Sequence, residues 1–168
     1  MPSIKTVAAK NISIRGSATK PTGPTVTAFT TSTDFSCLLA ANGTSLSATG
    51  SDKITDPSFC EGVNSGAFAN SNYEGAIVPF VMLDSTTGAY NIADNAAFEM
   101  FKVKNTIAYL WVREGVPSTT AAAVGQLVSC YEVRSDTPQR QSDLNGYIKR
   151  TIPLDVTPLF ENVALTAP

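Results

Sequence analysis

The sequence contains no histidine, and only 15% of its residues are charged. Histidine is the side chain that titrates near neutral pH and the commonest metal ligand, so its absence removes Ser-His-Asp and Cys-His catalysis and most zinc sites. Cysteine is scarce as well. Cys37, Cys60 and Cys130 are odd in number and lack metal-ligand spacing. They read as reduced, mostly buried small side chains, with a Cys37–Cys60 bridge as the minor alternative. Long hydrophobic runs are missing too: residues 76–83, broken by Pro79, and 107–112 fall far short of the roughly 20 residues that span a bilayer. Residues 1–10 lack the apolar core of a signal peptide, so the expectation is a soluble chain made in the cytoplasm, with no membrane segment. The sequons at Asn11 and Asn42 matter only in a secreted protein.

Other chemistry is absent by pattern. Gly16-Ser-Ala-Thr-Lys20 lacks the spacing of a phosphate-cradling loop. Asp52, Asp56 and Glu61 invite a carboxylate-pair or calcium reading, but no companion acids recur at regular intervals, and Asp56-Pro57 is a common turn starter. No basic stripe is interleaved with aromatics, so specific DNA binding is not supported. No catalytic, cofactor-binding or metal-ligating residue is expected.

What is present is the material of one folded domain: 168 residues, 43% of them hydrophobic. Serine and threonine make up about a fifth of the chain and are spread along it, against average usage. A neutral, Thr/Ser-decorated, strand-rich surface suits a protein that packs against copies of itself. Charge is uneven. Lys5, Lys10, Arg15 and Lys20 precede the first acid, Asp34, leaving eight cations against 14 acids after it. A positive arm, residues 1–24, on an acidic body lets one subunit's arm meet the next subunit's body; a solvated tail is the plain alternative.

Strands are expected at residues 11–15, at 26–33 where apolar residues alternate with threonine, and at 34–41, ended by Asn42-Gly43. Further strands are expected at 45–55, interrupted near Gly50, at 76–83 with Pro79 marking an edge or bulge, and at 107–112, 124–134 and 146–156. Residues 62–75, rich in Gly, Asn and Ser around Phe68 and Tyr73, read as a long hairpin or functional loop. One helix is predicted over residues 94–104. Asp94 is its N-cap, Ala97, Phe98 and Phe101 its apolar stripe, Lys102 and Lys104 its last turn, and Asn105 its stop. Trp111 reads as a core or interface anchor. Residues 157–168 form a short apolar tail in which Phe160, Val163 and Leu165 need a partner. The fold class is mainly β: a sandwich or barrel of two packed sheets with one flanking helix.

The series Asp34-Phe-Ser-Cys-Leu38, Ile54-Thr-Asp-Pro-Ser-Phe-Cys-Glu61 and Asn72-Tyr-Glu-Gly75 resembles the major tail, or tail-tube, proteins of long-tailed siphophages, especially those of actinobacteria. Asp94-Asn-Ala-Ala-Phe98, Tyr109-Leu-Trp-Val-Arg-Glu-Gly115, Pro138 and Gly146-Tyr-Ile-Lys149 continue the likeness over residues 34–156. The first 33 residues match the family pattern poorly. The resemblance implies a single tail-tube domain over residues 1–168 that forms hexameric rings stacked as a hollow tube. It implies a virion component that conducts the genome in transient, non-specific passage. It also implies tape-measure and tail-tip or terminator proteins as partners.

For ring stacking the expected residues are Lys5, Lys10, Arg15, Lys20, Phe68 and Tyr73; for core or interface they are Phe98, Phe101 and Trp111. The rival reading is a monomeric sandwich that binds carbohydrate or a host surface through Tyr73, Tyr90 and Trp111. An enzyme built on Asp and Glu alone is a weaker third.

Overall fold

The computed structural model describes residues 11–55, 66–68, 70–141 and 146–168. Eight of the described strands join in one antiparallel sheet. They are β1 (Ile12–Ser17), β2 (Thr33–Asp34), β3 (Ser45–Ala48), β6 (Tyr73–Ile77), β7 (Ile107–Glu114), β8 (Leu127–Ser135), β9 (Gln139–Arg140) and β10 (Arg150–Ala164). Their order is β2-β1-β7-β8-β10-β6-β3, with β9 beside the start of β10. A separate two-stranded ribbon pairs β4 (Lys53–Thr55) with β5 (Gly66–Phe68). Residues 62–65 and 69 of the loop expected at 62–75 lie outside the described residues, as do residues 56–61 and residues 1–10 of the arm.

The apolar run in β7 is explained by its place at the middle of the sheet. Side chains alternate between faces along a strand, and β7 is covered on both. On the first face Ala108 and Leu110 join Tyr131, Val133, Ile152, Leu154, Val156 and Ile77 in one core cluster. Helix α2 (Ala96–Phe101) closes this face with Ala97 and Phe101, and Phe101 meets Phe35 edge to face with ring centroids 6.5 Å apart. On the second face Tyr109, Trp111, Val128 and Cys130 meet Phe29 and Leu165. Trp111 is clasped between Phe29 and Phe160, at 5.7 and 5.2 Å. The apolar residues of the expected tail find their partners here, because residues 157–164 run on as β10.

β10 serves both faces by changing its register. Val156 lies opposite Val133 and Pro158 opposite Tyr131, but Phe160 lies opposite Cys130 and Val163 opposite Val128. Each shift is a bulge, and each reverses which parity of residue points inward. Ile152, Leu154 and Val156 therefore fill the first core, and Phe160, Val163 and Leu165 the second. Asn162 takes the left-handed conformation at the second bulge (φ 52°), where its N–H donates to Ser129 Oγ at 3.0 Å.

Several expectations are corrected. Residues 26–33 are not a strand: Val26–Thr31 is helix α1. Thr25 Oγ1 accepts from Ala28 N, and the Thr30 and Thr31 hydroxyls donate to carbonyls three and four residues back, so threonines with high strand propensity are used in a helix. Docking Phe29 on Trp111 decides the matter. Most of residues 34–41 is a turn, because the Asp34 carboxylate accepts from both Ser36 N and Ser36 Oγ. Cys37 is accordingly exposed and free, whereas Cys130 is buried and free; Cys60 lies outside the described residues.

The α2 helix is shorter than expected, Ala96–Phe101 after one 3₁₀ turn at Ala93–Asn95. Asp94 accepts from Asn91 Nδ2 and does not cap it. Lys102 pairs with Glu99 and Lys104 with Asp136, while Asn105 ends the segment with φ 65°. The strand at 76–83 stops at Ile77, since proline at 79 offers no N–H to a ladder. The chain continues past it through isolated bridges at Pro79, Phe80 and Leu83.

Candidate functional site

Among the described residues no three His, Cys, Asp or Glu side chains converge as metal ligands, and no helix is long and apolar enough to cross a membrane. The features open to a partner are surfaces.

One is the β3 end of the sheet. β3 pairs with β6 on one side and is the terminal strand of the order among the described residues. The second face of the sheet, covered by α1 over one half, carries no covering element here among the described residues. Register sets Arg134 beside Asp155, and Glu132 beside Thr157, across β8 and β10. On β6 and β3, Glu74 stands opposite Ser47, and Ala76 opposite Ser45. Among the described residues the open half-face therefore carries Glu74, Glu132 and Asp155 against one cation, Arg134, with Ser45, Ser47 and Thr157 between them. All but Glu132 are exposed, and Glu132 is half-buried.

A second surface is an apolar ledge. Phe80, Val81, Met82, Leu83, Tyr147 and Ile148 line a cleft of about 480 Å³. Its two segments are tied by Val81 N donating to Ile148 O and by Phe80 and Tyr147 ring-edge contact at 5.8 Å. The buried Asn95 fixes its floor: the side-chain amide accepts from Met82 N at 2.7 Å and donates to Met82 O at 2.9 Å and Asn91 O at 2.7 Å. Met82, Leu83 and Ile148 are exposed all the same, and Tyr147 keeps 81% of its surface in solvent.

The structure separates the residues singled out for stacking. Lys5 and Lys10 lie outside the described residues. Arg15 is turned inward: its guanidinium donates to the Ser32 and Thr30 carbonyls, stands 3.6 Å from Asp34, and lies over the Phe29 ring. Lys20 is exposed. Phe68, across the ribbon from Lys53, is 77% exposed. Tyr73 is half-buried and donates to Glu161 Oε2 at 2.7 Å, a bond that raises its pKa. Tyr131 donates to the other oxygen at 2.8 Å, so Glu161 holds two phenols from β6 and β8. Phe98 is half-buried against Tyr90; Phe101 and Trp111 are fully buried. With Trp111 inside, Tyr73, Tyr90 and Trp111 form no common exposed platform.

Sequence reasoning missed Arg113 altogether. It is 1% exposed and has no acid partner among the described residues. It donates instead to Ser13 Oγ, Gln126 Oε1 and the carbonyls of Pro117 and Thr120, with Phe29 beneath it. Burial, with Arg15 nearby, lowers its pKa. Its one sequence signal was a cation directly after an apolar run. Asn95 and Glu161 gave none, since each works only through residues distant in the chain.

The family model for phage tail tube protein matches residues 1–168, the whole chain. No curated protein matches it. The chain belongs to the phage tail tube protein family.

Proposed function

We propose that this member of the phage tail tube protein family closes into hexameric rings that stack as the hollow tail tube of a siphophage, through which the genome is delivered. The family makes it a structural component of the tail. The observation that carries the finer reading is the coincidence of an open sheet edge with a polar, acid-rich face at β3. An unpaired edge is a template for another strand, and a closed ring of subunits uses up every edge. When β3 joins the neighbouring subunit, the faces bearing Glu74, Glu132 and Asp155 merge into one wall. Such a wall suits a lumen, because cations there would hold the phosphate backbone and acids do not. The subunit works by assembly and performs no chemistry. Its partners are further copies of itself, a tape-measure protein that sets length and tail-tip or terminator proteins at the ends. The tube forms in the host cytoplasm.

The test is negative-stain electron microscopy of the purified protein alongside sedimentation. Rings or hollow tubes are the expected result. A monomer at millimolar concentration that stays monomeric with tail-tip extract overturns the reading in favour of a monomeric binding module.

A further inference from the structure

The ledge and the ribbon each leave apolar surface in solvent, and together they make a matched pair. The ledge is shallow and apolar, and Asn95 anchors it at Met82. Contiguous exposed apolar patches of this kind mark interaction sites. The ribbon β4–β5 stands apart from the main sheet and carries Phe68, the most exposed phenylalanine among the described residues. Phe68 is absent from its own subunit's cleft. Charges flank both in complementary fashion. Lys53 pairs in register with Phe68 on the ribbon, and Asp84 follows Leu83 at the rim of the ledge. Hydrogen bonds from Thr87 and Thr86 lower the Asp84 pKa, so that rim stays anionic. Lys149 lies beside Ile148 at the far rim, which orients the ribbon with Lys53 toward Asp84.

We infer that the ledge of Phe80, Met82, Leu83, Tyr147 and Ile148 is the socket for Phe68 of a second copy of this chain, with Lys53 of that copy set against Asp84. The contact is heterologous: each subunit offers a knob and a socket on different surfaces, so it propagates head to tail and does not close as a dimer. This rests on the tube reading above and supplies its ring-to-ring contact. The aromatic knob buries on the order of 150–250 Å².

Cross-linking tests it. In a Cys37→Ser, Cys60→Ser background, Phe68→Cys and Ile148→Cys are combined, assembled and mildly oxidised. A ladder of covalent multimers is expected from the double variant, none from the background, and a covalent dimer alone from a mixture of the two single variants. Phe68→Ser gives a second readout. Because Phe68 is exposed, the subunit's melting temperature should not change, while the concentration needed for assembly should rise about tenfold or more. Tubes that form without a ladder, or at unchanged concentration in Phe68→Ser, overturn the socket and leave the tube reading intact. Absence of any tube from the parent protein, with tail-tip extract added, overturns the tube reading and the socket with it.

Discussion

Arg113 shows how a buried charge is kept with no acid in direct contact among the described residues. Its donors meet a hydroxyl, a side-chain carbonyl and three backbone carbonyls, and the ring of Phe29 lies at 5.2 Å. It ties the loop after β7 to β1 and to the turn before β8. Arg113→Ala strands those acceptors in a dry site, so a loss of roughly 3 kcal/mol is expected, read as a lower urea midpoint. Gly16 is a second fixed point, because a Cβ there would overlap the Phe35 ring. Gly16→Ala should cost about 1–3 kcal/mol by the same measurement.

Titration follows from burial at the residue scale. Burial, then the Glu161 hydrogen bond, pushes Tyr131 up to about 12, and burial, then Glu99, does the same to Tyr90. Burial pushes the Cys130 thiol up to about 12. In each case the folded state favours the neutral form more than the unfolded chain does. Their contribution is whole below the ordinary values of 9 for the thiol and 10 for the phenols, and is lost as pH rises toward about 12. Denaturation monitored from pH 8 to 12 should show stability falling across that window. The fall should be shallower in Tyr131→Phe, which has no proton to lose there.

At the scale of elements, α1 depends on its cap and its one buried side chain. Thr25→Ala removes the acceptor for Ala28 N, with an expected cost of about 1 kcal/mol by chemical denaturation. The same helix shows where local sequence misleads. Residues 26–31 alternate as a strand would, and only Trp111, more than 80 residues away, makes the helix the better way to bury Phe29. The sequence of β7 was legible because burial on both faces writes a continuous apolar run. The acid-bearing half-face was not, since Glu74, Glu132 and Asp155 come together only through strand order and register. The bulges in β10 were equally hidden, as a change of parity looks like a lapse in pattern. Phe68 was legible as an exposed aromatic in a polar loop; its socket, built from residues 80–83 and 147–148, was not.

For the whole molecule, the sheet's two ends and its half-bare face are the features that outlast any single contact. Reversing Glu74, Glu132 and Asp155 to Lys should leave the subunit folded, as Glu74 and Asp155 are exposed and Glu132 half-buried. Tubes should still form. If this face lines the channel as proposed, infectivity of phage carrying the substitutions should fall roughly tenfold or more, because each added cation would be a phosphate contact along the genome's path. Full infectivity with intact tubes would place this face away from the channel.

The double change of register in β10 also has a kinetic consequence. β10 is synthesised after β6, β8 and β9, all of which it pairs with, and it supplies side chains to both core clusters. Neither cluster can close on a nascent chain that lacks it. The pairing of β10 with β6 spans some 75 residues of sequence, a high contact order that slows folding. A chain still short of β10 therefore cannot join the β1-β7-β8 strands to the β6-β3 pair, so a complete sheet is expected only once β10 has been made.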